Sequence, residues 1–379
     1  MECGWSSTPR HRAGLPDVSN VATFGRFVEY AMSPHRLLPL AVASALGAIA
    51  ALPRSAAAAE MSRREVAEAV AARVQADYVF ADKGAAAARL VRKRAAGGAY
   101  DKAAGEKAFA DAVTSDLFSV THDKHLVVRY RAAGFPPDAE TMTADSAARA
   151  AELREMRRGN FSTPKAEVLA GAVGYLKIDQ FHAPEDAGAT MTAAMAFLAN
   201  ADALIFDLRD NRGGDSATVA LVVSYLVPPQ TQLVAFRSRG AAKEEQSWSV
   251  PYVPGGRWST TKPVYVLTSG KTFSAGEEFA YDLQQLKRAT IVGAQSRGGA
   301  NPGVIRRLSE HFGMFVPNEA AIGPVSGTNW EGAGVTPDVS VDPAQALTAA
   351  HRLALQALIA KADAAEKPGL EEALAELGR

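Results

Sequence analysis

The chain has 379 residues, of which 47% are hydrophobic and 22% are charged. This length and composition predict a large core with a smaller domain and exclude wholesale disorder. Lys and Arg number 41, as do Asp and Glu, so the formal net charge is zero. Since there is no net positive charge and no basic run containing aromatic residues, we expect no nucleic acid as a partner.

The chain contains one cysteine, Cys3, and seven histidines. Cys3 precedes a predicted targeting segment, so the mature protein is expected to contain no disulfide and no thiolate nucleophile. No His-Glu-x-x-His pattern occurs among the histidines. We therefore predict that the protein uses no metal ion and no other cofactor.

A secretory signal is predicted at residues 32–59. A basic start, an apolar run from Leu37 to Leu52 and a small-residue stretch are the three parts of such a signal. On this interpretation, residues 1–31 come from a translation start that was assigned too early. This interpretation predicts a periplasmic or secreted protein with no stable membrane span after cleavage, and the alternative is an uncleaved N-terminal membrane anchor.

Residues 60–131 are predicted to form a small helical N-terminal domain. Apolar residues recur at helical spacing from Val66 to Val74, and a further helical pattern runs from Asp101 to Asp116. The alternation in Leu126–Tyr130 predicts a strand. Residues 132–169 read as a linker with one short helix, too short to hold another domain.

Residues 170–379 alternate strand and helix patterns, which is typical of parallel βαβ units. The predicted strands are Val173–Ile178, Ala203–Leu208, Val264–Thr268 and Thr290–Val292, and the predicted helices are Pro184–Asn200, Ser216–Tyr225, Ser274–Lys287 and Ala344–Ala364. A hairpin over Val304–Leu308 and Met314–Val316 is predicted to lie against this core. The fold class is therefore predicted to be α/β, preceded by the helical domain.

Ser274 is the candidate nucleophile. It opens a predicted helix just after a buried strand, and open α/β sheets form their sites at the carboxyl ends of strands. The helix N-terminus also offers free N–H groups to a developing oxyanion. Taken alone, the segment is better explained by a capping box of Ser274 with Glu277. It does not match the Gly-x-Ser-x-Gly elbow, because Thr272 occupies the first glycine position.

Three other segments could complete a site. The turn in Asp207–Gly214 ends in two glycines, which either present N–H groups to an anion or serve a plain tight turn. A serine nucleophile also needs a base and an acid that orients it. His122 and His125 are candidate bases and Glu331 is a candidate acid, but the sequence does not show that they meet.

Four segments, taken together and in order, resemble one family. They are Asp207–Gly214, Thr268–Phe279, Val292–Asn301 and Asn329–Asp338. They resemble the C-terminal (tail-specific) processing proteases, most closely the branch of the tricorn core protease and the interphotoreceptor retinoid-binding protein. The stretch ending in Asp123-Lys124-His125-Leu126 resembles the N-terminal domain of that branch.

The resemblance implies a crotonase/ClpP-like α/β core in residues 170–379 and a serine peptidase that acts on peptides or proteins. It implies a complete site: Ser274 as the nucleophile, His125 as the general base and Glu331 as the acid that helps orient the site. The N–H of Gly213 or Gly214, together with that of Ala275, would form the oxyanion hole.

The sequence departs from the better-known processing proteases at their base and at their PDZ domain. Arg297-Gly298-Gly299 stands where those enzymes carry a lysine base, and arginine stays protonated, so a histidine base is preferred. Residues 132–169 have no room for a PDZ domain. Lys124 stands where the tricorn protease has a serine. Two other functions remain open, a binding protein for retinoids or other lipids and a stand-alone esterase.

Overall fold

A computed structural model describes residues 60–135 and 147–378. The signal segment predicted at residues 32–59 lies outside these described residues. Within them, no helix combines the length and the apolar character that a membrane crossing requires.

The described ranges contain nine α-helices and eleven strands. The helices are α1 (Arg63–Asp77), α2 (Ala81–Ala96), α3 (Glu106–Thr121), α4 (Ala147–Arg158), α5 (Pro184–Phe197), α6 (Ser216–Ser224), α7 (Ala275–Gln285), α8 (Ala346–Ile359) and α9 (Lys367–Glu376). The strands are β1 (Val127–Tyr130), β2 (Lys165–Leu169), β3 (Val173–Lys177), β4 (Ala203–Asp207), β5 (Ala235–Ser238), β6 (Val264–Thr268), β7 (Thr290–Gly293), β8 (Gly303–Arg307), β9 (Phe312–Pro317), β10 (Glu319–Ile322) and β11 (Val339–Ser340).

Six of the strands in the described part of the chain form one sheet, in the order β11-β7-β6-β4-β3-β2. All of its neighbouring pairs are parallel except β2 with β3. Because α5 and α7 connect parallel neighbours and α6 lies between β4 and β6, the chain builds successive βαβ units. The predicted α/β fold class with a helical N-terminal region is confirmed.

The central strands are buried on both faces. In β4, Leu204 and Phe206 pack into the core beneath α5, α6 and α7. Ala203 and Ile205 pack into the opposite core, beneath α8 and α9. Side chains alternate between the faces of a strand, so a strand that is apolar at every position must be covered on both sides.

A separate core holds the helices α1, α2 and α3 against a three-stranded sheet, β1-β9-β8. Helix α1 begins with the capping box of Ser62 and Glu65. Phe109 of α3 meets Phe312 of β9 edge to face, with 5.5 Å between the ring centroids. This packing holds β1, and with it the segment from His122 to Leu126, against strands from the C-terminal half of the chain.

The fold differs from the sequence-based expectations in three places. The β8–β9 hairpin packs on the helices and pairs with β1, because Phe312, Met314 and Val316 of β9 contribute to the helical core. The closing helix predicted at Ala344–Ala364 is α8, and a further helix, α9, follows it. Lys165–Leu169, placed in the linker from its sequence, forms β2 and pairs with β3, so the sheet begins before residue 170.

Candidate active site

Ser274 lies at the turn between the carboxyl end of β6 and α7, with a left-handed backbone (φ 54°, ψ −124°). The N–H of Gly276 donates to the carbonyl of Phe273 at 3.0 Å and closes a turn with Ser274 at its second position. These angles are those of a type II′ turn, where glycine is favoured, so a serine there is strained. A capping serine ordinarily has an extended backbone, and strain of this kind clusters at functional sites.

Glu277 holds the turn in place. Its buried carboxylate accepts from the Ser274 N–H at 2.9 Å, from the Ser296 hydroxyl at 2.6 Å, and from the N–H groups of Gly298 and Gly299. From the sequence, Glu277 was predicted only to complete a capping box with Ser274. In the fold it also ties the nucleophile turn to the loop that follows β7.

The glycine turn after β4 lies directly against Ser274. A Cβ added at Gly213 would lie 2.7 Å from the Ser274 Cβ, and Gly213 itself has a φ of 105°. Gly214 sits beside Phe181, where an added Cβ would lie 1.8 Å from the carbonyl oxygen. Only glycine fits either position: the close approach to Ser274 accounts for Gly213, and the close approach to the Phe181 backbone accounts for Gly214. The plain-turn interpretation is therefore insufficient.

The three backbone N–H groups predicted to bind the oxyanion differ in whether they already donate a hydrogen bond within the protein. The Gly213 N–H donates to Oδ1 of Asn211 at 2.8 Å, because that side chain turns back toward the N–H two residues on. Among the described residues, the backbone N–H groups of Gly214 and Ala275 have no hydrogen-bond acceptor. In this conformation Gly213 therefore offers no free donor, whereas Gly214 and Ala275 do.

His125 lies beside the nucleophile turn and is 9% exposed. Its ring centroid is 4.3 Å from that of Phe273, the residue before Ser274, and 5.6 Å from that of Phe315. Neither ring nitrogen has a hydrogen-bond partner in the described structure, the Ser274 hydroxyl included. Burial lowers the pKa of His125 to about 4, so the imidazole is neutral at pH 7 and able to accept a proton.

His122 lies apart from this arrangement. It is exposed, ends α3 with a left-handed backbone (φ 57°), and meets Phe118 edge to face at 5.7 Å. The contact with Phe273 is made by His125, which favours His125 over His122 as the base.

Glu331 also lies near His125. One carboxylate oxygen accepts from the Ala300 N–H at 2.7 Å, and the other is buried without a partner. Burial, with a smaller contribution from the negative charge of Asp123, raises the pKa of Glu331 to about 7. Asp123, His125 and Glu331 each place one potential ligand atom within 4.8 Å of the other two. His125 is therefore a base with two acids nearby.

Arg297 lies beside Phe273, the residue before Ser274. Its guanidinium lies over the Phe273 ring, 4.9 Å from the centroid, and its carbonyl accepts a hydrogen bond from the Lys124 ammonium. Its positive charge lowers the pKa of His125 further. Arg297 therefore supports the walls of the site, and a permanently protonated guanidinium cannot serve as its base.

Gly299 packs closely against the rings of Phe273 and His125. An added Cβ would lie 2.2 Å from the Phe273 ring and 2.8 Å from Cε1 of His125. We expect Gly299→Ala to displace the base and to lower kcat/KM about 100-fold, the cost of a misplacement near 1 Å. Gly270→Ala is the matched control, because its Cβ would meet nothing within 4 Å. Peptidase assays of both variants, with circular dichroism to verify folding, test this, and equal activities would contradict it.

Helix α7 carries two further buried carboxylates, Glu278 and Asp282. Burial raises the pKa of Glu278 from 4.5 to about 7 and that of Asp282 well above its ordinary value. The folded protein thus keeps the Glu278 proton where the unfolded chain has lost it, so stability falls as pH rises from about 4.5 to about 7. A raised pKa of this size corresponds to about 3 kcal/mol.

We therefore expect Glu278→Gln to stabilise the fold by up to about 3 kcal/mol above pH 7 and by little at pH 4.5. The Gln carbonyl can still accept the Ser216 hydroxyl, which bonds to Glu278 at 2.6 Å. Urea unfolding at both pH values measures the effect, with exposed Glu155→Gln as the control. A gain of equal size at the two pH values would show that ionisation of Glu278 is not its cause.

Two family models match parts of the chain. Residues 172–341 match the sequence model of peptidase family S41, and residues 52–158 match the N-terminal domain of peptidase S41 in eukaryotic IRBP. Both agree with the family predicted from the four ordered motifs.

Two curated relatives show how far the similarity extends. The chain is 31% identical over 180 residues to a carboxy-terminal-processing protease of Bartonella bacilliformis, covering 46% of this chain and 40% of the relative. It is 30% identical over 145 residues to a carboxyl-terminal-processing protease of Synechocystis sp., covering 38% and 32%. The aligned part therefore spans less than half the length of either relative.

A solved structure of a lipoprotein from Streptococcus agalactiae has the same fold. It superposes with a TM-score of 0.52 at 12% identity, covering 78% of this chain and 97% of that one. At this identity the similarity bears on the fold alone.

Proposed function

Because the chain belongs to peptidase family S41, whose domain it carries at residues 172–341, we propose that it is a serine peptidase acting on peptides or proteins. The observation that carries the proposal is the strained backbone of Ser274 (φ 54°), held by Glu277 against the glycine turn of Gly213 and Gly214. Strain at a partly buried serine beside two free N–H groups serves catalysis and has no evident structural purpose.

In the proposed reaction the Ser274 hydroxyl attacks the carbonyl carbon of the scissile peptide bond. His125 accepts the hydroxyl proton and later donates it to the departing amine. The N–H groups of Gly214 and Ala275 stabilise the oxyanion, and the Gly213 N–H joins them when Asn211 releases it. Water then hydrolyses the acyl-enzyme, again with His125 as the base, and Glu331 orients the site.

We also propose the arrangement of the chain around this site. Residues 60–131 form the helical N-terminal domain that supplies His125. Residues 132–169 link it to the catalytic domain and end in β2, the first strand of the catalytic sheet. Residues 170–379 supply Ser274 and Glu331. The signal predicted at residues 32–59 supports export to the periplasm or secretion.

Labelling with a fluorophosphonate tests the proposal, because this reagent phosphonylates an activated serine and leaves a capping serine unmodified. Intact mass of the purified chain should show one adduct, and peptide mapping should place it on Ser274. Ser274→Ala should remain unlabelled. If the wild-type chain is also unlabelled, the hydrolase proposal fails, and binding of retinoids or other lipids becomes the function to measure.

A further inference from the structure

Asp123 is a buried carboxylate for which the proposed reaction has no role. It is 1% exposed, and its Oδ2 accepts from the Tyr78 hydroxyl at 3.1 Å and from the Asn301 amide at 3.0 Å. Its Oδ1 accepts from the backbone N–H of His125 at 2.9 Å. Three donors from three parts of the chain thus fix the carboxylate group in one orientation.

The fixed carboxylate faces the imidazole of His125. Its Oδ1 lies 4.0 Å from Nδ1 of the ring, and Nδ1 has no other partner. The ring packs against Phe273 and Phe315, tilted by 32° and 31° from their planes, and a Cβ at Gly299 would lie 2.8 Å from its Cε1. Hydrogen bonds between catalytic groups are often long until substrate binds, so a small rotation of the ring converts this contact into a hydrogen bond.

Glu331 occupies a different position relative to the same ring. Its carboxylate is bound through the Ala300 N–H, and the neighbouring Asn301 gives its side-chain amide to Asp123. One short loop therefore places one acid from each half of the chain beside His125. Only Asp123 is also held to the base through the base's own backbone N–H.

We propose that Asp123 is the positioning residue for His125, holding the tautomer with the proton on Nδ1 so that Nε2 is free to accept the Ser274 proton. The inference rests on the proposed peptidase function for its chemistry, but its structural content does not. A carboxylate in this position also stabilises the imidazolium that forms when His125 accepts the proton.

The charges around the ring determine the expected pH effects. Burial lowers the pKa of His125, Asp123 raises it, and Arg297 lowers it. Asp123 also raises the pKa of Glu331, beyond the larger effect of burial. Neutralising Asp123 should therefore move the titrations of both His125 and Glu331 to lower pH, whereas loss of packing alone predicts no common direction.

The first experiment does not depend on enzymatic activity. Long-range ¹H–¹⁵N NMR of the imidazole in the full chain carrying Ser274→Ala reports which ring nitrogen holds the proton. We expect the Nδ1–H tautomer of His125, and a shift toward Nε2–H when Asp123→Asn is added. An unchanged tautomer would overturn the inference, even if the protein is an active peptidase. If the chain proves inactive and the tautomer still responds, the proposed function fails and the positioning role stands.

The second experiment measures activity in the chain that retains Ser274. Asp123→Asn is expected to lower kcat about 100-fold or more with little change in KM, and to shift the acidic limb of the pH–rate profile to lower pH. Asp123→Glu restores the charge and should recover part of the rate. Tyr78→Phe removes one donor but keeps the charge, so its loss should be small. Asp111→Asn, at an exposed Asp on α3, is the control for a distant charge.

The contacts of Asp123 can accommodate an asparagine. The Asn oxygen can still accept from the His125 N–H, and Asn301 has an unpartnered Oδ1 that can turn to accept the new amide. Thermal melting verifies this. A folded Asp123→Asn with the wild-type rate and pH profile would exclude the positioning role.

Discussion

Replacing Ser274 by alanine is expected to reduce kcat/KM for peptide hydrolysis by at least ~10⁴-fold, because the variant has no group that can form the acyl-enzyme. The residual rate would come from water attacking a substrate still bound by the Gly214 and Ala275 donors. Steady-state assays on a peptide library, with intact mass verifying the absence of wild-type protein, measure the loss. A variant retaining one per cent of the activity would remove Ser274 from the mechanism.

The same substitution should leave the fold almost unchanged. Alanine is no more strained than serine at a φ of 54°, and the Glu277 carboxylate still accepts the backbone N–H of residue 274. Any lost capping by the hydroxyl costs about 1 kcal/mol at most. Ser269→Ala is the matched control with the opposite pattern. Its buried hydroxyl donates to the Arg209 carbonyl at 2.6 Å, so its loss should lower the melting temperature while most activity remains.

The fold was predictable where residue type and period agreed. The apolar runs of β4 and β6 are bounded by turn residues and fit only strands that are buried on both faces. The partner of the β8–β9 hairpin was not predictable. Its alternating pattern indicates two strands, but whether Phe312 and Met314 face the helices or the six-stranded sheet depends on contacts distant in sequence.

The sequence motifs predicted which segments contribute to the candidate site. They did not predict the contacts that those segments make with one another. The motifs led to Ser274, His125 and Glu331, whose roles remain predictions, and the structure brings all three segments to one place. Sequence gave no indication that Asn211 occupies the Gly213 N–H. It also did not reveal that Glu277 accepts from a loop about twenty residues away, because a capping box has the same spacing whether or not its carboxylate has other partners.

His125→Ala is expected to lower kcat/KM by about 10³–10⁴-fold, whereas His122→Ala should retain activity within about twofold. His125 lies against Phe273 in the buried site, and His122 lies exposed at the end of α3. Because His122 has a left-handed backbone, His122→Ala will lose some stability, and His122→Asn provides a control that tolerates this conformation. Both kcat/KM and the rate of fluorophosphonate labelling should follow the same order.

Chemical rescue separates a missing base from a disturbed fold. His125→Ala leaves a space the size of an imidazole between Phe273, Phe315 and Gly299, so added imidazole should restore part of the labelling rate. Rescue should increase with pH as imidazole loses its proton, because only the neutral form accepts one. If His122→Ala is the inactive variant and His125→Ala labels normally, the base is His122 and the site must rearrange to admit it.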